Sequence, residues 1–246
     1  SAVTSRVTLG TSVLLGPTRD PVLLAAQTAS IDLLSGGRMV LGLGVGSREE
    51  DYTVTGRDFH TRGRRLDGDV ATMRRIWAGD ALLDGFAPIG PRPVNGSIPL
   101  LFGGSSDAAM ARAARVGDGH LCVPRGLDIQ AQMFEKFKAA WSAAGRTEKP
   151  LLYAQGYYCV DDSIERAQER IAEYQLYYYG RRPRASGGTA QQSEFDLVGP
   201  PDVVAQAMTR YAALDVDGLV LLPATGEPSQ VEALVGPIIE SFKKNS

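Results

Sequence analysis

Apolar and polar positions alternate along this chain with two different periods. Short, nearly all-apolar runs are separated by longer segments in which apolar residues return every three or four positions, the pattern of βαβ units and a mainly parallel sheet. Val7-Thr8-Leu9-Gly10-Thr11-Ser12-Val13-Leu14-Leu15 reads as a first buried strand. Asp20-Pro21 then opens a helix with Leu24, Ile31 and Leu34 inside, stopped at Gly36-Gly37 by a left-handed turn. Residues 39–44 form a second strand, and 45–60 a polar loop. From about Thr61 a helix sets Leu66, Val70, Met73 and Trp77 in one stripe, while Arg64, Arg65, Asp67, Asp69, Arg74 and Arg75 read as its solvated face.

The stretch 79–97, with Pro88, Pro91 and Pro93, predicts no regular element. A third strand over 98–102 runs into Gly103-Gly104-Ser105-Ser106 and an Ala-rich helix ending at Val116. Residues 119–123 form a fourth strand, followed by a helix with Ile129, Met133, Phe134, Phe137 and Trp141 inward. The fifth strand spans 151–160 and precedes a helix from Ser163 towards Tyr178; residues 180–188, basic and glycine-rich, read as a mobile loop. A helix from about Pro201 to Leu214 leads to a sixth strand, 218–222, and Val231, Leu234, Val235, Ile238 and Phe242 mark a last amphipathic helix. Each strand is apolar enough for burial on both faces. Six such units suit either an open doubly wound sheet or most of a (β/α)₈ barrel, which takes about 250 residues and eight strands.

Composition narrows the class. With 246 residues, 43% hydrophobic and 22% charged, the chain is expected to fold as one large domain or two small ones, without needing disulfides or metal. A formal charge of −2, with bases scattered along the sequence, argues against nucleic acid and membrane-surface partners. Cys122 and Cys159 stand far apart and outside any metal-binding spacing, no apolar run reaches 18 residues, and Ser1 to Arg6 lack a signal peptide's features. The expectation is a cytoplasmic protein.

Several fragments, taken in order, carry a resemblance. They are Arg6 to Leu14, Asp20-Pro21-Val22-Leu23-Leu24-Ala25, Leu33-Leu34-Ser35-Gly36-Gly37-Arg38, and Gly42-Leu43-Gly44-Val45-Gly46-Ser47 followed by Glu49-Glu50-Asp51-Tyr52. Pro99 to Ser106, Ala113 to Gly119 and Leu197 to Val204 extend the series over nearly the whole chain. The chain resembles the bacterial luciferase-like flavin-dependent monooxygenases, a family that includes the deazaflavin (coenzyme F420) oxidoreductases. The resemblance implies a TIM-type (β/α) barrel of which this chain carries the third to eighth strands. The family's first two βα units, which bring part of the cofactor pocket and often a histidine, have no counterpart here, so the resemblance favours a single barrel domain, residues 1–246, read as N-terminally incomplete.

The candidate chemistry lies in glycine-rich strand ends. Gly103-Gly104-Ser105-Ser106, at a strand-to-helix junction, suits either a phosphate held by backbone N–H groups or a tight turn with Ser106 or Asp107 as N-cap; the resemblance favours phosphate. Gly42-x-Gly44-x-Gly46 is not the dinucleotide fingerprint, and its glycines either clear space for a planar ring or let a bent strand pack closely. Thr11-Ser12-Val13 lies where the family often has a non-proline cis peptide beneath the flavin ring. The expected cofactor contacts are thus Thr11, Ser12, Gly44, Gly46, Gly103, Gly104, Ser105 and Ser106, with no catalytic acid or base assigned and no metal site.

Other residues have plainer readings. His120 either points into the barrel mouth or, the favoured reading, is a satisfied core histidine; His60 is taken as loop surface and Cys122 as a small buried hydrophobe. Tyr174 and Tyr178 are read as packing residues, while Tyr177 and Tyr179 stay open between packing and a substrate pocket. Arg181, Arg182 and Arg184 form a charge run that is either solvated or faces an anionic group.

The function implied is a flavin- or deazaflavin-dependent oxidoreductase or monooxygenase acting on a small organic substrate. Reduced FMN, from a separate flavin reductase, would activate dioxygen, or reduced F420 would transfer hydride. The alternatives are a non-catalytic flavin-binding or structural paralogue and, more remotely, a generic barrel hydrolase or isomerase. The helix from Pro21 to Ser35 has a single charge, Asp32, and apolar residues on more than one face, which points to a homodimer.

Overall fold

The computed structural model describes residues 2–177 and 197–238. Tyr178, Tyr179, the Arg181-Arg182-Arg184 run and Phe242 lie outside these. By its contacts the chain divides into two compact units, Ser1–Leu121 with Lys136–Leu151 and Cys122–Glu135 with Leu152–Ser246.

In the first unit β1 (Leu9–Gly10) and β2 (Leu14–Leu15) both pair in parallel with β3 (Met39–Gly44), Leu9 opposite Met39 and Leu14 opposite Leu43. β3 pairs in parallel with β4 (Leu100–Gly103), and β4 with β5 (Gly119–Leu121), Phe102 opposite His120. The run 7–15 is therefore not one continuous buried strand. It breaks where the Ser12–Val13 peptide is cis and Thr11 Oγ1 turns to donate to Gly42 O at 2.7 Å, and Val7 is 54% exposed.

α1 (Pro21–Ser35) has the expected ends: Asp20 Oδ1 accepts the N–H groups of Val22 and Leu23, and Gly36 is left-handed at φ 70°. Its inner face differs from the prediction. Leu24, Ala25, Thr28, Ala29 and Asp32 are buried, whereas Ile31 and Leu34 are exposed. Asp32 turns inward because its carboxylate accepts the Met39 and Val94 N–H groups, tying the helix end to β3 and to the irregular segment.

α3 (Arg62–Ala78), which follows the short α2 (Glu49–Thr53), buries Leu66, Val70, Met73, Ile76 and Trp77, and the Trp77 indole N–H donates to Ala25 O of α1 at 3.1 Å. Its charges are not simply solvated. Asp67 pairs with Arg112 and Arg115 of α4 (Asp107–Val116), and Arg74 reaches Val116 O and Asp118. Opposite charges on adjacent helices meet here, a match that periodicity within one helix does not reveal.

In the second unit β6 (Leu151–Val160, whose first residue belongs to the first unit) pairs in parallel with β7 (Leu197–Gly199) and with β8 (Gly218–Pro223). Tyr157, Cys159, Ala167, Ile171, Val198 and Ala224 form a core against α6 (Ile164–Gln175), and Tyr174 packs on Tyr157 at 5.4 Å as expected. α7 (Pro201–Ala212) and α8 (Ser229–Ala233) complete this unit, while α5 (Leu127–Ala143) contributes to both. β7 is not among the expected strands, being only three residues long. β8 is partly exposed along its length rather than buried on both faces; among the described residues it pairs with β6 alone.

Two glutamines displace predicted apolar residues. Ile129 and Val231 are exposed at 45% and 52%, while Gln130 and Gln230 beside them are buried. Gln130 accepts the Gln155 N–H and donates to Gln155 O; Gln230 does the same for Val160, both bonds 2.8 Å. Each amide satisfies the backbone of a β6 residue as a neighbouring strand would. Val235 is also exposed, while Leu234, predicted inward with it, is buried.

One device occurs twice. Before β5, the Asp118 carboxylate accepts the Leu100 N–H at 2.8 Å while Leu100 O accepts the Asp118 N–H, also at 2.8 Å. Before β8, Asp217 makes the same two bonds, each 2.8 Å, with Leu152. The following residue is glycine in both places, because a Cβ at Gly119 would fall on Leu151 O and one at Gly218 would meet the Tyr153 ring at 2.6 Å.

Candidate functional site

The C-terminal ends of β3 and β4 meet at one side chain, which stands just before β2. Val13, just past the cis peptide, comes within 2.7 Å of where a Cβ would stand on Gly44 and 3.1 Å of where one would stand on Gly103. Gly46, left-handed at φ 68°, packs against Leu15, whose Cδ2 lies 2.9 Å from an added Cβ. A Cβ at Gly42 would fall on the Thr11 carbonyl oxygen, while the Thr11 hydroxyl donates to Gly42 O. Thr11, Ser12, Gly44, Gly46 and Gly103 are thereby brought together. Close packing is what these glycines visibly do.

Gly104, at φ 126°, then turns the chain from β4 towards α4, and a Cβ there would come 2.8 Å from the Ala109 methyl. Ser106 is the N-cap, its Oγ accepting the Ala109 N–H at 3.2 Å; Ser105 and Ser106 are exposed. The helix's first N–H groups and its dipole favour an anion here. Asp107 in the first turn opposes one, but its carboxylate is paired with Lys136, which offsets that charge. Of the eight predicted residues, five thus pack close together in the first unit, and Gly104, Ser105 and Ser106 follow Gly103 along the chain into α4.

Tyr52 carries a role that sequence reading does not assign. Fully buried on α2, it donates from its phenol to Val45 O at 2.5 Å, and its ring meets Phe59 edge-on at 5.4 Å. The Arg62 guanidinium covers Phe59 in turn, 3.7 Å from the ring centroid. Its signal in the sequence is a place after Glu49-Glu50-Asp51, shortly beyond a glycine-rich strand end.

His120 is buried as expected but is not satisfied: it stacks on Phe137 at 5.0 Å, and neither ring nitrogen makes a hydrogen bond among the described residues. Burial pushes its pKa down to about 4, the nearby Phe102 backbone opposing this only in part. His60 is exposed. Cys122 and Cys159 are buried free thiols; burial pushes Cys122 up to about 12, and its sulfur lies 3.5 Å from that of Met133. Tyr177 is 65% exposed.

The strand ends of the second unit are built otherwise. A hollow of about 330 Å³ is lined by Val160, Asp161, Arg166, Arg170, Glu227 and Gln230, among others. Arg170 bridges Asp161 at 2.9 Å and Glu227 at 2.6 Å, and Arg166 also reaches Asp161. The Arg170 guanidinium holds the Asp161 carboxyl below the usual carboxylate range.

A family model described as luciferase-like monooxygenase matches residues 1–235. An uncharacterized protein of Mycobacterium tuberculosis is 34% identical over 177 residues, 69% of this chain and 62% of that protein. The F420-dependent glucose-6-phosphate dehydrogenase of Amycolatopsis mediterranei is 31% identical over 159 residues, 58% of this chain and 47% of that enzyme. The matched stretches thus span less than two thirds of these curated relatives. Among solved structures, an F420-dependent secondary alcohol dehydrogenase in complex with an F420-acetone adduct covers 98% of this chain and 81% of its own at TM-score 0.78 and 16% identity. A monooxygenase from Streptomyces bottropensis covers 98% and 76% at TM-score 0.72 and 24% identity.

The fold class is accordingly α/β, the luciferase-like TIM-type barrel, with six of the barrel's eight strands in this chain. No helix among the described residues is long and apolar enough to cross a membrane. The family match over residues 1–235 makes the assignment: the chain belongs to the luciferase-like monooxygenase family.

Proposed function

We propose that the protein is an oxidoreductase that uses reduced FMN or reduced coenzyme F420 on a small organic substrate. The observation that carries this reading is the packing of Gly44 and Gly103 on Val13, of Gly46 on Leu15 and of Thr11 on Gly42, with Gly104-Ser105-Ser106 leading from Gly103 to the N-terminus of α4. In barrels of this kind, the C-terminal strand ends are the usual seat of function. Thr11, Ser12, Gly44 and Gly46 support the cofactor ring; Gly103, Gly104, Ser105 and Ser106 hold its phosphate. The residues present fit such a group, since the serines are exposed, the N-terminus of α4 favours an anion, and Lys136 neutralises Asp107.

When bound, the cofactor supplies the redox step, hydride transfer for F420 or dioxygen activation for FMN. The chain binds it, orients it and keeps water from the ring. No side chain is assigned as acid or base, and an FMN-using protein would draw on a separate flavin reductase. The F420-dependent relatives support the deazaflavin half of the reading, and a structural neighbour described as riboflavin lyase with modified FMN supports the other. Two buried free thiols support a reducing, cytoplasmic setting.

The decisive measurement is fluorescence titration of the purified protein with FMN and with F420. Saturable binding of one of them at micromolar concentration is the expected result, and binding of neither rejects the reading. The same proposal includes a homodimer through α1, whose exposed face shows Leu23, Ile31, Leu33 and Leu34 and no charge, Asp32 being buried. A monomeric mass by light scattering at micromolar concentration rejects that part.

A further inference from the structure

We infer that Tyr52 is a positioning residue for the cofactor shelf, acting through the Val45 carbonyl. The inference rests on the reading of the strand ends as a cofactor site. β3 leaves the sheet at Gly44, and the next residues, Val45, Gly46 and Ser47, must hold a left-handed glycine against Leu15 without a neighbouring strand to fix them. The Tyr52 phenol supplies that restraint from behind, since its O–H donates to Val45 O while its ring is held by Phe59 and, beyond it, by Arg62. Phe59 is fixed in turn because Arg62 donates to its carbonyl at 2.8 Å. The Tyr52 carbonyl also accepts the Arg57 N–H at 2.8 Å, which anchors the turn after α2.

This chain of contacts ends on the shelf itself. Val45 lies between Gly44, which touches Val13, and Gly46, which touches Leu15. A loop free to shift at Val45 would move both glycines off the segment that carries the cis peptide. Burial holds the Tyr52 pKa above its ordinary value, so the phenol remains a donor at neutral pH.

Tyr52→Phe removes the hydroxyl and keeps the ring. Trp77→Phe is the control, since it removes another buried side-chain bond, to Ala25 O, in the helical layer. The expected result is that Tyr52→Phe weakens binding of FMN or F420 about three- to tenfold, the scale of one hydrogen bond, and shifts the absorption band of the bound cofactor. Trp77→Phe should lower Tm and leave affinity and spectrum unchanged. Wild-type affinity and spectrum in Tyr52→Phe would overturn the inference.

Hydrogen exchange on the wild type gives an independent readout that needs no variant: residues 44–47 should gain protection when the cofactor is added, and no gain would also overturn it. A wild type that binds neither cofactor instead defeats the cofactor reading, and Tyr52 falls with it.

Discussion

The strand ends of the two units solve the same problem with different materials. In the first, β3 and β4 end in glycines that close on Val13, Gly46 beyond β3 closes on Leu15, and the polar groups left at the turn into α4 are backbone N–H and exposed serines. In the second, β6 ends under a glutamine that satisfies both backbone groups of Val160, beside a carboxylate already shared by two arginines. The first arrangement leaves donors for a ligand, and the second is saturated by its own side chains. Changes at the first should therefore be felt in binding, and changes at the second in stability.

The largest expected effect is at the saturated end. Gln230→Ala leaves the Val160 N–H and C=O without partners and should cost about 3 kcal/mol of stability in denaturant unfolding, with cofactor affinity unchanged. A loss below about 0.5 kcal/mol would remove the contrast.

Acid should separate the units next. His120, in the first, has a folded pKa of about 4 against 6.5 when unfolded, so the unfolded chain binds the extra proton. Its contribution is complete above pH 6.5 and is lost as pH falls to 4, about 3 kcal/mol in all. Asp161, in the second, has its pKa depressed below 3.8, so the stability it adds is present above that pH and disappears only as pH falls through the lower, folded value. Stability measured from pH 7 to 4 should fall in the wild type and stay nearly flat in His120→Phe, which preserves the stacking on Phe137.

At the ligand-ready end, Ser105→Asp places a negative charge where the phosphate is proposed to lie. The residue is exposed and an acid near a helix N-terminus suits the fold, so affinity should drop about tenfold, or about 1.4 kcal/mol, with Tm held. Gly104→Val is a poorer probe, because φ 126° and the Ala109 methyl would strain the fold itself. Smallest in stability is Leu34→Lys on exposed α1, within about 0.5 kcal/mol, although light scattering should show it breaking the proposed dimer.

What the chain reveals before folding, and what it hides, has physical reasons. The bounds of β6 and the caps of α1, Asp20 and Gly36, follow from local chemistry and are legible to the residue. The glycine contacts at Val13 join segments some 30 and 90 positions apart, which no period within one element can show. Gln130 and Gln230 escape a sequence reading because amides are ordinarily exposed. Spacing offers the signal: each precedes a buried apolar residue, Phe134 or Leu234, by four positions. The burial of His120 is legible from its apolar strand, but its lack of hydrogen-bond partners among the described residues is a property of the packed layer and is not.

The paired Asp-Gly steps before β5 and β8 act as index pins. An aspartate that both gives its N–H to one residue and takes that residue's N–H can do so at a single height along the neighbouring strand. A strand displaced by two residues would keep its inward and outward faces and most of its ladder, so hydrophobic pattern alone scarcely penalises that error. It would, however, forfeit a charge-assisted bond and drive the Gly119 or Gly218 position into open space while a bulkier neighbour took its place. In the folded protein these four residues thus fix a single alignment, and Asp118→Ala or Asp217→Ala should lower Tm, measured by thermal unfolding, more than removal of an exposed carboxylate does.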